Sequence, residues 1–150
     1  MVHKAERIGR AAARAETAAA LFSLVAAIIH ALVTPAHLEE WWGYGLFFIF
    51  ATAAQTLFAL ILLTDAITPD GFGANWLTVR RRILVAGIIG NLLIIGFYLV
   101  TRTVGVPFGP EAGVVESLGI PDVISKVAEV GVVAACWLAL AKGPAPGANS

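Results

Sequence analysis

Sulfur is nearly absent from this chain. Cys136 is the single cysteine, so neither an internal disulfide nor a multi-cysteine metal centre can form. Apart from Met1 there is no methionine, which removes the thioether ligands that a copper(I) carrier needs. Charge is scarce as well. Only 13% of the 150 residues are charged, and ten Lys or Arg balance ten Asp or Glu. A nucleic-acid partner calls for a basic surface, and none is encoded. No nucleophile triad, phosphate-binding loop or thiol pair can be traced, so an enzyme is the less favoured class.

What is present is apolar. Hydrophobic residues make up 59% of the chain and the mean hydropathy is +0.85, values suited to an integral membrane protein. Four apolar runs, at about 17–33, 44–63, 83–100 and 123–141, each approach the ~20 residues that cross hydrocarbon as a helix. Helices satisfy their own backbone groups in lipid, which makes them the economical choice. The expected fold is therefore all-α, a four-helix transmembrane bundle in a single domain at 17–141. A basic, Ala-rich segment at 1–16 reads as a short interfacial helix. A signal peptide is its rival reading, disfavoured by the length of the apolar run and by a polar face reaching His30. Residues 142–150 read as a disordered tail.

Lys and Arg fix the expected orientation. Arg7, Arg10, Arg14, Arg80, Arg81, Arg82 and Lys142 fall at one end of such a bundle. The links at the other end hold only Arg102 among His37, Glu39, Glu40, Glu111 and Glu116. Both termini should face the cytoplasm of a bacterial inner membrane. Trp41, Trp42, Tyr44 and Trp76 are the residue types that anchor at membrane–water boundaries. Pro35, within HALVTPAHLEEWWGYG, should end the first helix near Val33 and leave a short loop rich in polar groups. The 101–121 segment, TRTVGVPFGPEAGVVESLGIP, is long and rich in Gly and Pro. It should fold down as an ordered cap over the outer face, burying Val104, Val106, Phe108, Val114, Val115 and Leu118.

Helical spacing sorts the remaining polar residues onto shared faces. Ser23, Ala26, Ala27 and His30 fall opposite Leu21, Val25, Ile28 and Leu32. Gln55 shares a face with Phe48 and Ala59, Asn91 with Gly87, Tyr98 and Arg102, and Glu129 with Asp122 and Lys126. With alternating span direction, these groups converge beneath the outer face. Ionisable side chains inside a membrane are costly and mark function by default.

Three functional readings follow. The first is a metal site in which His30 and His37 supply imidazole and Glu40, Glu129 or Asp122 supply oxygen, a donor set suited to zinc, copper(II) or iron. The second is an accessory subunit of a larger membrane complex, or a homo-oligomer, in which Gln55, Asn91, Tyr98, Arg102, Glu116 and Lys126 act as polar glue between helices in the bilayer. The third is a proton or small-cation path, or a quinone pocket. Haem fits poorly, because His30 is the single histidine within a span.

At HALVTPAHLEEWWGYGLFFIFATAAQ and YLVTRTVGVPFGPEAGVVESLGIPDV the chain resembles a family of small four-span bacterial integral membrane proteins that carries no assigned activity. The resemblance extends over roughly residues 17–140. It implies the four-span architecture and brings with it no ligand or catalytic residue.

Overall fold

The computed structural model describes residues 2–64 and 69–143. Among the described residues, five helices and one 3-10 turn account for the regular structure: α1 (Val2–Glu40), α2 (Trp42–Leu63), α3 (Pro69–Phe72), the 3-10 turn Gly73–Asn75, α4 (Trp76–Thr103) and α5 (Ile120–Lys142). No strand forms among the described residues. Four helical stretches are long and apolar enough to cross a membrane: Gly9–Glu40, Trp42–Leu63, Asp70–Thr103 and Ile120–Lys142.

The separate interfacial helix expected at 1–16 does not exist. α1 runs unbroken for 39 residues, about 58 Å at ~1.5 Å per residue, well beyond the ~30 Å hydrocarbon core. Ala and Arg are strong helix formers, so the basic segment simply extends the first span. Arg80, Arg81 and Arg82 likewise lie within α4, not in a loop. The tail expected to be disordered lies outside the described residues from 144 on.

Pro35 does not end α1 either. It deprives the Ala31 carbonyl of a donor, yet it is exposed near the end of the bundle, where such a group can meet polar surroundings. The Thr34 hydroxyl reinforces the same turn by donating to the His30 carbonyl at 2.7 Å. The expected loop shrinks to one extended residue, Trp41, with φ −168° and ψ 134°. Trp41 N–H donates to the His37 carbonyl at 3.0 Å, and its own carbonyl accepts from Tyr44 N–H at 3.0 Å. So tight a reversal needs Gly45, where an added Cβ would lie 2.2 Å from the Leu38 side chain.

α1 packs between α2 and α5, and α5 also packs on α4. Small residues let these helices approach: Ala19, Ala20, Ala26 and Ala27 on α1, and Ala128, Ala135 and Ala139 on α5, are all buried. α2 and α4 come close at few points. Their seam is filled by rings, with Phe47 and Phe97 centroids 5.0 Å apart. Leu84, Val132 and Cys136 complete a dry core toward the arginine-rich end. Leu21, Ile28, Leu32, Phe50, Leu57 and Leu93 form the exposed apolar belt. The buried and exposed faces of α1 are those the spacing predicts.

Candidate functional site

The end of the bundle opposite the start of α1 and the end of α5, hereafter the mouth, gathers ionisable groups from α1, α2, α4, α5 and the 104–119 loop. Glu129 is central. It stands on the buried face of α5 and is 0% exposed. His30 Nε2 of α1 lies 3.0 Å from its Oε1. Lys126, one turn earlier on α5, donates from Nζ to both carboxylate oxygens at 2.6 Å. The i, i+3 spacing makes that second pair a local consequence of the helix, whereas the His30 contact joins residues 99 apart in sequence.

A second network sits nearer the surface. Arg102, in the last turn of α4, pairs with Glu116 of the loop and, through a second nitrogen at 2.8 Å, with Asp122 of α5. The same guanidinium lies 4.9 Å from the Tyr98 ring centroid, with the Lys126 ammonium 5.2 Å from it. Both are cation–π distances. Asp122 also accepts from Gly119 N–H at 2.9 Å, tying the loop to the start of α5.

The loop is ordered, but by polar contacts and not by the apolar burial expected. Tyr44 OH donates to the Phe108 carbonyl at 2.9 Å and accepts from Glu111 N–H at 3.3 Å. Gly109 permits this approach, since its φ is +88° and an added Cβ would meet the Tyr44 hydroxyl at 2.5 Å. Glu116 N–H donates to the Thr101 carbonyl at 3.2 Å, and Val106 and Val114 are joined by a further backbone bond. Val106 alone of the six apolar residues is buried; Val104 is 75% and Leu118 72% exposed.

Between these networks lies a cavity of about 70 Å³. His30, Tyr98, Arg102 and Lys126 give it polar walls, and Phe48 and Phe108 are among its apolar ones. The His37 ring stacks on Phe48 at 4.3 Å, and its Nδ1 lies 3.0 Å from Glu40 Oε2.

The metal candidates are therefore divided. His30 meets Glu129, His37 meets Glu40, and Asp122 is taken up by Arg102. Among the described residues no three His, Cys, Asp or Glu side chains converge. Zinc sites draw at least three protein ligands together, and here the Lys126 ammonium already occupies Glu129 where a cation would bind.

Below the cavity, the Ser23 hydroxyl donates to the Gln55 carbonyl at 2.8 Å, and Gln55 Nε2 donates to Asn91 Oδ1 at 3.2 Å. The Gln55 side-chain oxygen and the Thr52 hydroxyl are buried without partners. Beneath that layer the dry core begins, and Glu16 of α1 pairs with Arg80 of α4 beyond it.

Three roles escaped sequence reasoning. Tyr44 is buried as a loop anchor, not exposed as an interfacial ring. Thr101 supplies its hydroxyl to Arg102 at 3.1 Å, as well as its carbonyl to the loop. Trp137 is exposed on α5 much as Trp42 is on α2. Adjacency to Arg102 was the available signal for Thr101. Trp41 packs against Tyr44 and Phe108, while Trp76 is half-buried at the start of α4.

No protein-family model, curated protein or solved structure matches the chain.

Proposed function

We propose that this chain is a small multi-pass membrane protein serving as a binding or accessory subunit, and that its mouth cluster takes up one proton from one face of the bilayer. The observation that carries this reading is the buried pair of His30 and Glu129 beside a small cavity with both polar and aromatic walls. The cluster holds three carboxylates, Glu116, Asp122 and Glu129, against two fixed cations, Arg102 and Lys126. The carboxylates outnumber these cations by one, and His30 is the further side chain in contact with Glu129 that can hold a proton. Glu129 meets His30 and Lys126 directly, and the titratable groups that line the cavity with His30 are Lys126 and Asp122 from α5, Arg102 and Tyr98 from α4, Tyr44 from α2, His37 from α1 and Glu116 from the loop. A proton fits better than a metal cation, because Lys126 already covers both Glu129 oxygens.

Cavity size weighs against a quinone. A cavity of about 150 Å³ holds one benzene ring, and the space here is about 70 Å³. It suits a few waters. The dry layer of Leu84, Val132 and Cys136 argues for access from the mouth alone, so the cluster is a one-sided binding site and not a through-path.

The test is proton uptake followed by nitrogen NMR of labelled histidine in the purified protein. The His30 ring-nitrogen signals should report a proton shared with Glu129, and Glu129→Gln, which keeps the side chain's size and removes its charge, should erase that signature. A His30 signal unchanged by that substitution sinks the proposal, as does a stoichiometric metal found by elemental analysis.

We further propose a bacterial inner-membrane location with both termini cytoplasmic, supported by the arginine asymmetry. Glu39, Gly73 and Ala112 are all exposed, and the native Cys136 is buried out of reach. Cysteines placed at Glu39 and Ala112 should react with an impermeant thiol reagent in spheroplasts, and one at Gly73 should not. The reverse labelling pattern would invert the orientation.

A further inference from the structure

We propose that the lipid-facing side of α4 at the arginine-rich end holds one anionic phospholipid. The run Arg80, Arg81, Arg82 is split by the helix. Arg80 turns inward and pairs with Glu16 of α1, with 13% of its side chain exposed. Arg81 and Arg82 are exposed. Together with Thr78 they form the polar part of a shallow groove that continues over Val85, Ala86 and Ile89.

These six positions follow i, i+3, i+4, i+7, i+8 and i+11, which is one face of a helix. The polar groups occupy its first turn or so and the apolar ones the next two, over about 16 Å from Thr78 to Ile89. Ala86 is smaller than Val85 and Ile89 beside it, so the face is troughed there. Two guanidinium forks and a hydroxyl suit a phosphate, which Arg binds through paired N–H donors. An apolar trough directly below suits an acyl chain. Free phosphate would use the first feature and gain nothing from the second; the two in sequence along a membrane-facing helix identify a lipid. The site lies at the opposite end from the proton cluster and does not depend on it.

The experiment is native mass spectrometry of the protein released from bilayers of equal phosphatidylglycerol and phosphatidylcholine. One phosphatidylglycerol should be retained in about thirtyfold preference, about fivefold for each of two basic residues acting near a membrane surface. Arg81→Gln with Arg82→Gln should erase the preference. Ala86→Phe keeps every charge and fills the trough on a face whose six residues are all exposed, so the fold tolerates it; it too should lose the lipid. Added inorganic phosphate should not displace the lipid. Equal retention of both lipids would overturn the site. So would full retention in Ala86→Phe, which would mean diffuse surface charge, or displacement by phosphate alone, which would mean a headgroup site without a chain.

Discussion

Glu129→Ala is expected to destabilise the folded protein by about 3–5 kcal/mol, the range for breaking a buried ion pair from one side. Glu129 is fully buried, and the exposed fractions of its partners' side chains are 4% for His30 and 16% for Lys126. Removing the carboxylate strands the ammonium in the bundle and takes an acceptor from the imidazole. His30→Ala removes one hydrogen bond and leaves the Lys126 pair intact, so it should cost only about 1–3 kcal/mol. Had these two residues formed an isolated pair, the double variant would recover part of the loss, because no orphan would remain. Lys126 changes that expectation. With Glu129 and His30 both gone the ammonium is still unpaired, and recovery requires Lys126→Met as well. The series is His30→Ala, Glu129→Ala, the double and the triple, followed by reversible unfolding in detergent. A Glu129→Ala loss below about 1 kcal/mol, or a double variant as stable as wild type, would mean that the three side chains do not act as one network.

The helical faces were legible because they obey one local rule. Small and polar residues recur at helical spacing, and in lipid they have nowhere favourable to point but inward. That rule placed Ser23, His30, Gln55, Asn91 and Glu129 correctly. The pairing of Arg102 with Glu116 and Asp122 was legible too, since Glu116 lies in the adjoining loop and Asp122 in the first turn of the facing helix. The candidate metal donors do not converge among the described residues, and donor type alone does not reveal the competing cation. Lys126 sits three residues before Glu129 on the same helix, so their contact forms without any tertiary arrangement, and it claims the carboxylate first. Pro35 misled for a different reason. Proline breaks helices in proportion to what its missing hydrogen bond costs, and at the exposed end of a span that cost is small. The loop's apolar residues suggested a buried cap, but sequence does not reveal how narrow a turn three positive-φ glycines, Gly105, Gly109 and Gly113, will make. What positions the loop is a tyrosine hydroxyl and a backbone carbonyl on different helices, contacts that carry no spacing signal.

That dependence on polar contacts leads to the second large effect. Arg102→Gln should release one half of the 104–119 loop and leave the other half in place. The guanidinium joins Glu116, Asp122 and the Thr101 hydroxyl, and it covers Tyr98. Glutamine spans at most one of these, and the two carboxylates then face each other without a cation. Arg102→Lys should not rescue, because one ammonium cannot reproduce the planar fork to two acids. Losing charge-assisted bonds of this kind costs about 1.5–3 kcal/mol each, partly offset by solvent where Glu116 and Asp122 are a third exposed. Apolar burial offers little compensation, since Val104, Val114, Val115 and Leu118 are already exposed. Amide hydrogen exchange in nanodiscs reads the result directly. The Glu116 N–H, bonded to the Thr101 carbonyl, should exchange at least about tenfold faster in Arg102→Gln, while the Glu111 N–H, bonded to Tyr44, stays protected. Tyr44→Phe should do the reverse, and the double variant should expose the whole loop and widen the cavity over His30. If the two amides respond together to either single change, the loop is one cooperative unit and the two-latch account of it is wrong.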